Sequence, residues 1–253
     1  MDIVFIGSGN VASVLGQKFK AAGHDIVQII SRNASVASKL AYEWDTESAN
    51  YISLLNKNAD IYIIAVPDDA IEKVAAEIKL PGKVIAHTAA SVSKEVLKGV
   101  SQHYGVFYPL QSLSEQNSQL PDIPIFFDGS DTVAKNKLKQ LADSISSGTP
   151  AIADDEMRLK LHVAAVVVNN FVNHLYDLAE DYCKKEGIDF TQLLPLIDET
   201  SQRIKKMSPH NAQTGPAVRH DKETLQKHLE ILKDHPVLKN IYVLLTESIQ
   251  QMK

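Results

Sequence analysis

The run Gly7-Ser8-Gly9-Asn10-Val11-Ala12 is the part of the chain whose residue types and spacing most directly suggest chemistry. It follows an apolar stretch and opens an amphipathic one, the strand–turn–helix setting in which a glycine loop cradles a pyrophosphate. Gly7 permits the tight turn, Gly9 lets the backbone approach the phosphates, and Ala12 takes the third small position, where helix and strand pack closely. The backbone amides from Ser8 to Val11, at the start of the helix, then supply donors and a positive dipole for a phosphate. The alternative is a structural glycine turn that holds no ligand.

A strand that binds NAD usually ends in Asp or Glu, which accepts from the ribose 2′-hydroxyl. Here the second strand ends in Ser31-Arg32-Asn33, without a carboxylate. Arg32 offers a planar, permanently charged donor for a 2′-phosphate, and Ser31 and Asn33 add neutral donors. The predicted cofactor is therefore NADP(H); the competing reading of Arg32 is a solvated loop residue.

Ligands in such a sheet sit beyond the carboxyl ends of the strands. Three further strand ends should line that cleft: Val66-Pro67-Asp68, His87-Thr88-Ala89-Ala90-Ser91 and Tyr108-Pro109-Leu110-Gln111-Ser112. Val66, Pro67 and Thr88 are expected at the cofactor. Gln111 and Ser112 are candidate hydrogen-bonding partners of a substrate. His87 is either a proton donor near neutral pH or a strand-end histidine satisfied by backbone carbonyls.

Further on, at about 100° per residue, His162, Asn169 and Asn173 fall within roughly 40° of one another on a helix. Val163, Ala164, Ala165, Val166, Val167, Val168 and Phe171 around them are apolar, which predicts a helix buried on most sides. Buried polar groups left without partners cost about 1–3 kcal/mol each, so the stripe should face either a polar cavity or a fixed internal network. His162 and Asn169 are the candidates for orienting a substrate or moving a proton, with His87 as an alternative acid. Asn173 joins them as a substrate contact. In the loop Thr214-Gly215-Pro216-Ala217-Val218-Arg219, Arg219 either clamps a carboxylate or phosphate or pairs with an acidic neighbour. Nine histidines and one cysteine, Cys183, form no metal-ligand spacing, so no metal is expected.

The elements that must position these residues follow from periodicity. Strands are predicted at 2–6, 25–31, 60–66, 83–87, 105–108 and 123–128, with helices at about 10–22, 35–44 and 69–77 and a weak segment near 51–55. The stretch 60–66 is nearly continuous in apolar residues, as in a parallel strand covered on both faces. After a last strand at 149–153 the pattern turns helical: 154–186 up to Gly187, 190–207, a loop at 208–220, a helix capped by Asp221, and a final helix opened by Pro236. The expected architecture is α/β, a doubly wound, mostly parallel Rossmann sheet over 1–153, followed by an all-helical domain over 154–253.

Composition bounds the function. The 253 residues are 44% hydrophobic and 23% charged, with a net charge of −5. That is an ordinary folded globule with no basic footprint for nucleic acid. A lone cysteine excludes an internal disulfide, and neither a signal peptide nor an apolar run of membrane-spanning length is visible. The expectation is a cytoplasmic protein that binds neither nucleic acid nor membrane.

The phosphate turn, Ser31-Arg32-Asn33 and Ala59-Asp60-Ile61-Tyr62-Ile63-Ile64-Ala65-Val66-Pro67-Asp68 resemble the superfamily of 6-phosphogluconate-dehydrogenase-type reductases. That superfamily includes pyrroline-5-carboxylate reductase, ketopantoate reductase, β-hydroxyacid dehydrogenases and F420-dependent NADP oxidoreductase. The second half, through Leu161–Phe171 with Asn173-His174 and through 214–219, is similar to a group of NADP oxidoreductases with a helical C-terminal domain. The resemblance implies a Rossmann domain followed by a helical domain that builds a homodimer. The β-hydroxyacid dehydrogenase pattern is broken: four residues after Lys160, where that family carries Asn, stands Ala164. Neither its catalytic lysine nor its substrate specificity transfers. What remains is an NADP(H)-dependent oxidoreductase that reduces a small carbonyl or imine; the alternative is a non-catalytic NADP(H)-binding sensor or scaffold.

Overall fold

A computed structural model describes residues 1–114, 120–146 and 148–252. The chain separates into two compact units, Met1–Val167 and Val168–Lys253.

In the first unit strands and helices alternate: β1 (Asp2–Ile6), α1 (Asn10–Ala21), β2 (Asp25–Ile30), α2 (Ala34–Trp44), β3 (Glu47–Ala49), β4 (Ile61–Ile64), α3 (Asp68–Ala76), β5 (Val84–His87), β6 (His103–Pro109), β7 (Ile125–Gly129), α4 (Thr132–Ile145), β8 (Ala151–Ile152) and α5 (Asp155–Ala165). The eight strands form one sheet in the order β3-β2-β1-β4-β5-β6-β7-β8. Every neighbouring pair is parallel except β6 and β7, which run antiparallel. The chain leaves β1 outward to β2 and β3, then returns to the other side of β1 for β4. That reversal opens a crevice at the carboxyl ends of β1 and β4, where doubly wound sheets place their ligands.

Both faces of the sheet are covered. Ile3, Phe5, Ile61 and Ile63 pack on one side with Leu15, Phe19 and Trp44. Val4, Ile6, Tyr62 and Ile64 pack on the other with Ile71, Ile85 and Leu97. Residues adjacent in a strand thus serve opposite layers, and both layers are apolar, which is why β1 and β4 read as unbroken apolar runs rather than alternating ones.

Three elements differ from expectation. Helix α4 fills the stretch after β7 that the predicted strands left unassigned. Its buried Ala134, Leu138, Leu141, Ala142 and Ile145 recur at helical spacing, and Asp131 caps it by accepting from Ala134 N at 2.8 Å. The weak segment near 51–55 is the 3₁₀ turn Ile52–Leu54, preceded by the short edge strand β3. The long helix expected over 154–186 is interrupted: α5 ends at Ala165, residues Val166–Phe171 are π-helical, and α6 (Val172–Glu186) follows. A uniform 100° per residue therefore does not hold through the segment on which the His-Asn-Asn stripe was projected.

The second unit is helical. After α6, which stops at Gly187 in the left-handed region (φ 71°), come α7 (Leu194–Arg203), α8 (Pro209–Ala212), α9 (Lys222–Ile231) and α10 (Pro236–Gln250). His235 ties its ends together: Nε2 lies 2.8 Å from Glu186 Oε1, and its ring meets that of Tyr182 at 4.9 Å. His228 Nδ1 lies 2.7 Å from the Tyr242 hydroxyl. Among the described residues no helix is long and apolar enough to cross a membrane.

Candidate dinucleotide site

The crevice at the switch point is a cleft of about 1520 Å³ within the first unit. Its floor is the turn between β1 and α1. Gly7 sits at φ 120°, a conformation that L side chains rarely adopt, and a Cβ there would stand 2.1 Å from the carbonyl oxygen of Ala65. The close passage of β1 past β4 thus requires a glycine. At Gly9 the reason differs: a Cβ would meet no heavy atom within 4 Å, so the space before this backbone is open to a ligand. Gly9 is also the N-cap of α1, with no side chain capping the helix and no acidic residue in its first turn. The amides and the positive end of α1 are therefore presented to the cleft, where Asn10 and Val11 form part of its wall. An open backbone approach at an uncapped helix start fits a pyrophosphate.

Ser8 and Ser31 join the phosphate turn to the end of β2. Ser8 Oγ donates to Ser31 Oγ at 2.8 Å, and Ser31 Oγ also accepts from Asn33 N at 3.2 Å. With both acceptor positions in use, the Ser31 hydroxyl proton remains to be donated. Asn33 uses its side-chain oxygen to cap α2 through Val36 N at 3.3 Å. Arg32 is exposed and lines the cleft beside them. No carboxylate follows β2 in that position.

The opposite wall comes from β4, β5 and α3: Val66, Pro67 and Asp68, with Ala70, Lys73, Val74 and Glu77 along one face of α3, and Thr88 and Ala89 after β5. Tyr51 and Ile52, in the segment read only as weak, complete the outer end. Every residue expected at the cofactor, namely Gly7, Ser8, Gly9, Asn10, Val11, Ser31, Arg32, Val66, Pro67 and Thr88, lines this single cleft.

The residues expected to do chemistry are distributed differently. His87 is 0% exposed and is absent from the cleft wall. Its Nδ1 accepts from Ala89 N at 3.2 Å. Burial, and then the charge of Arg158, push its pKa down to about 4. At neutral pH it is an uncharged imidazole inside the fold, with Nε2 buried and without a hydrogen-bond partner among the described residues. Gln111 turns back onto its own loop, donating from Nε2 to Asp122 O at 3.0 Å and accepting from Ser112 N at 2.9 Å. Neither Gln111 nor Ser112 lines the cleft.

The helix expected to be buried is open. Val163 is 59% exposed, Val168 72% and Phe171 57%, and His162, Asn169 and Asn173 are exposed as well. An apolar pattern records that a surface leaves water, not which surface covers it; among the described residues this face stays uncovered. Arg219, in the second unit, is exposed too. Asp221 beside it has its carboxyl held below the usual range by Thr224, through the backbone amide and the hydroxyl, with a smaller contribution from the charge of Arg219.

Arg158 was not singled out by the sequence, and Tyr108 was read only as part of a strand end. Arg158 is 0% exposed. It donates to Ala153 O at 3.3 Å, to Val92 O at 2.9 Å and to Asp155 Oδ1 at 2.8 Å, fixing the first turn of α5 to the loop after β5. Tyr108, on β6, places its hydroxyl 3.3 Å from His162 Nδ1 on α5. The only local signal was the Asp155–Arg158 spacing of three residues on a helix; the Tyr108–His162 pair spans 54 residues and leaves none.

Comparison with known proteins agrees with this geometry. Residues 2–91 match the family described as NADP oxidoreductase, coenzyme F420-dependent, and residues 123–249 match a domain of unknown function, DUF2520. No curated protein matches the chain. Among solved structures, the "putative NADP oxidoreductase BF3122" of Bacteroides fragilis is 37% identical with a TM-score of 0.89, the match covering 99% of this chain and 98% of that one. Protein TM1727 of Thermotoga maritima is 25% identical with a TM-score of 0.78, covering 98% of this chain and all of the other. A reductive aminase of Aspergillus terreus, solved with NADPH and ethyl-5-oxohexanoate, shares the fold at 16% identity and a TM-score of 0.74, over 99% of this chain and 92% of that one. The chain belongs to the DUF2520 family, with that helical domain following an NADP oxidoreductase-like dinucleotide domain.

Proposed function

We propose that the protein is an NADP(H)-dependent oxidoreductase that reduces a small carbonyl or imine compound. The observation that carries this reading is the first-unit cleft: an uncapped helix start behind the open Gly9 at one point, and Arg32 beside Ser31 at the end of β2. Gly7 to Val11 would hold the pyrophosphate through backbone amides, Arg32 and Ser31 would meet the 2′-phosphate, and Val66, Pro67 and Thr88 would flank the nicotinamide half. The bound cofactor supplies the hydride; the chain binds, orients and delivers a proton. In support of the substrate class, the reductive aminase of the same fold was solved with NADPH and a ketone.

On this reading the segment 1–153 holds the cofactor. The segment 154–253 supplies substrate contacts through His162, Asn169, Asn173 and Arg219, and the interface of a homodimer. His162 is favoured over His87 for proton transfer, because it is exposed to solvent whereas His87 is buried and neutral.

Replacing Arg32 by Asp tests the cofactor assignment by calorimetry. Loss of a charge-assisted contact to the 2′-phosphate should weaken NADPH binding by about 2–3 kcal/mol, roughly 30- to 150-fold, while NADH binding changes little or improves. Equal NADPH affinity in variant and wild type would sink the assignment. Steady NADPH oxidation with a panel of ketones, oxoacids and cyclic imines tests the reaction; tight NADPH binding without oxidation of any of them would favour a sensor.

A further inference from the structure

Reduction of a C=O or C=N bond consumes a proton as well as a hydride, and no histidine is found among the residues lining the cleft. Tyr108 is not itself a wall residue, but it packs directly behind the strand end that carries Thr88 and Ala89. Its ring packs on Ala90 and Val106, and Ala90 directly follows the cleft-lining Thr88 and Ala89. Tyr108 is 7% exposed, so its position is fixed by packing. Its hydroxyl meets His162 Nδ1 at 3.3 Å, and His162 is itself exposed. The charge of Asp68, a cleft residue hydrogen-bonded by Ser91, strengthens the hold of the phenol on its proton.

We propose that Tyr108 protonates the reduced substrate and that His162, bonded to it, restores the proton from solvent. The proposal rests on the carbonyl- or imine-reductase reading. As hydride reaches the substrate carbon, the π electron pair moves onto the oxygen or nitrogen, and that atom takes the proton from Tyr108 Oη. The phenolate takes the proton of His162 Nδ1, and the imidazole regains one from water on its exposed side. One hydride and one solvent proton are consumed for each bond reduced; His162 is left protonated on Nε2, and exchange of its ring protons with water restores the Nδ1–H tautomer before the next turnover.

The charged groups that act on the proton affinity of Tyr108 are Asp68 on α3 and Arg158 on α5. Burial pushes the phenol above its ordinary value, Asp68 pushes the same way and Arg158 opposes. His87 is neutral near pH 7 and adds no charge. Tyr108 thus keeps its proton through the neutral range. A rate that depends on it holds into alkaline solution and falls only in the tyrosine range, above about 10.

The experiment compares wild type, Tyr108→Phe and His162→Gln in three measurements: NADPH affinity, kcat against pH with the ketone and imine panel, and the NMR ring resonances of His162 without cofactor. Tyr108→Phe should keep NADPH affinity within about twofold and lose about 100-fold in kcat. His162→Gln should lose less and keep the alkaline limb of the wild type. In the cofactor-free protein at one fixed pH, the His162 ring resonances should shift when Tyr108 becomes Phe, because the hydrogen bond to Nδ1 is lost. An unchanged kcat in Tyr108→Phe, a kcat in His162→Gln that falls as far as in Tyr108→Phe, or unmoved His162 ring resonances would each overturn the assignment. A wild type that binds NADPH but reduces no member of the panel overturns the reductase reading, and this proposal with it; the other failures leave that reading standing.

Discussion

His87 shows how one buried residue makes stability depend on pH. In the unfolded chain its imidazole takes a proton at about 6.5; in the fold, burial first and Arg158 second hold it to about 4. Between those values the unfolded state binds more protons than the folded state, so acid favours unfolding. The contribution is intact above about 6.5, declines as pH falls and is lost by about 4, amounting to about 3 kcal/mol in all. Urea unfolding at pH 7, 5.5 and 4.5 should therefore show a steeper loss for wild type than for His87→Gln. Parallel pH curves for the two proteins would show that His87 does not titrate in this way. The glycine turn, Arg32 and the strand ends at Val66 and Thr88 were legible because each has a local rule: a backbone conformation, a missing carboxylate, the last residues of an apolar run. The roles of His87, Gln111 and Ser112 were not, since type and position do not reveal whether a side chain at a strand end points into a cleft, into the core or back onto its loop.

Among the elements, α5 illustrates how a helix start can depend on one buried charge. Asp154 caps it, accepting from Met157 N at 2.8 Å, and Asp155 and Glu156 place negative charge at the positive end of the helix. Arg158 then reaches Asp155, Ala153 O and Val92 O from a position with no exposure. Arg158→Met keeps much of the apolar volume but strips donors from these acceptors. We expect a loss of about 3 kcal/mol in unfolding free energy, seen as a lower denaturant midpoint with an unchanged m-value. A loss under about 1 kcal/mol would mean that water replaces the guanidinium at no cost, and that Arg158 does not anchor the helix. Because Arg158 also moderates the phenol of Tyr108, any activity left in this variant should keep its alkaline limb at the same pH or a higher one. The alternation of strands and helices was readable from the 3.6 and 2 periods, and α4 follows the same rule once Asp131 is taken as its cap. The π-helical stretch Val166–Phe171 was not: its composition is as apolar as the α-helix before it, and nothing in Val166-Val167-Val168 marks a change in hydrogen-bond register.

At the scale of the whole molecule, the distribution of apolar surface separates what one chain completes from what it leaves open. The sheet core is closed, with Phe5, Leu15, Phe19, Ile61 and Ile63 each at 0% exposure. The second unit buries few residues, among them Cys183, Ala217, Leu225 and Leu232, while Leu196 is 63% exposed, Val237 59% and Leu244 65%. Single exposed apolar residues are ordinary, but this many long aliphatic side chains within 86 residues of helix is what a covering surface would explain. A homodimer accounts for it without another partner, because each copy carries the same deficit and a twofold interface lets one patch cover itself. Light scattering behind size exclusion should then give about twice 27.9 kDa at micromolar concentration, and the unfolding midpoint should rise with protein concentration. Leu244→Glu together with Val237→Glu, which place charges where the interface would lie, should shift the protein toward the monomer mass while leaving NADPH affinity within about twofold, since the cleft lies wholly in the first unit. A wild type that elutes as a monomer at tens of micromolar, with a midpoint independent of concentration, would leave the exposed aliphatic face without its proposed cover.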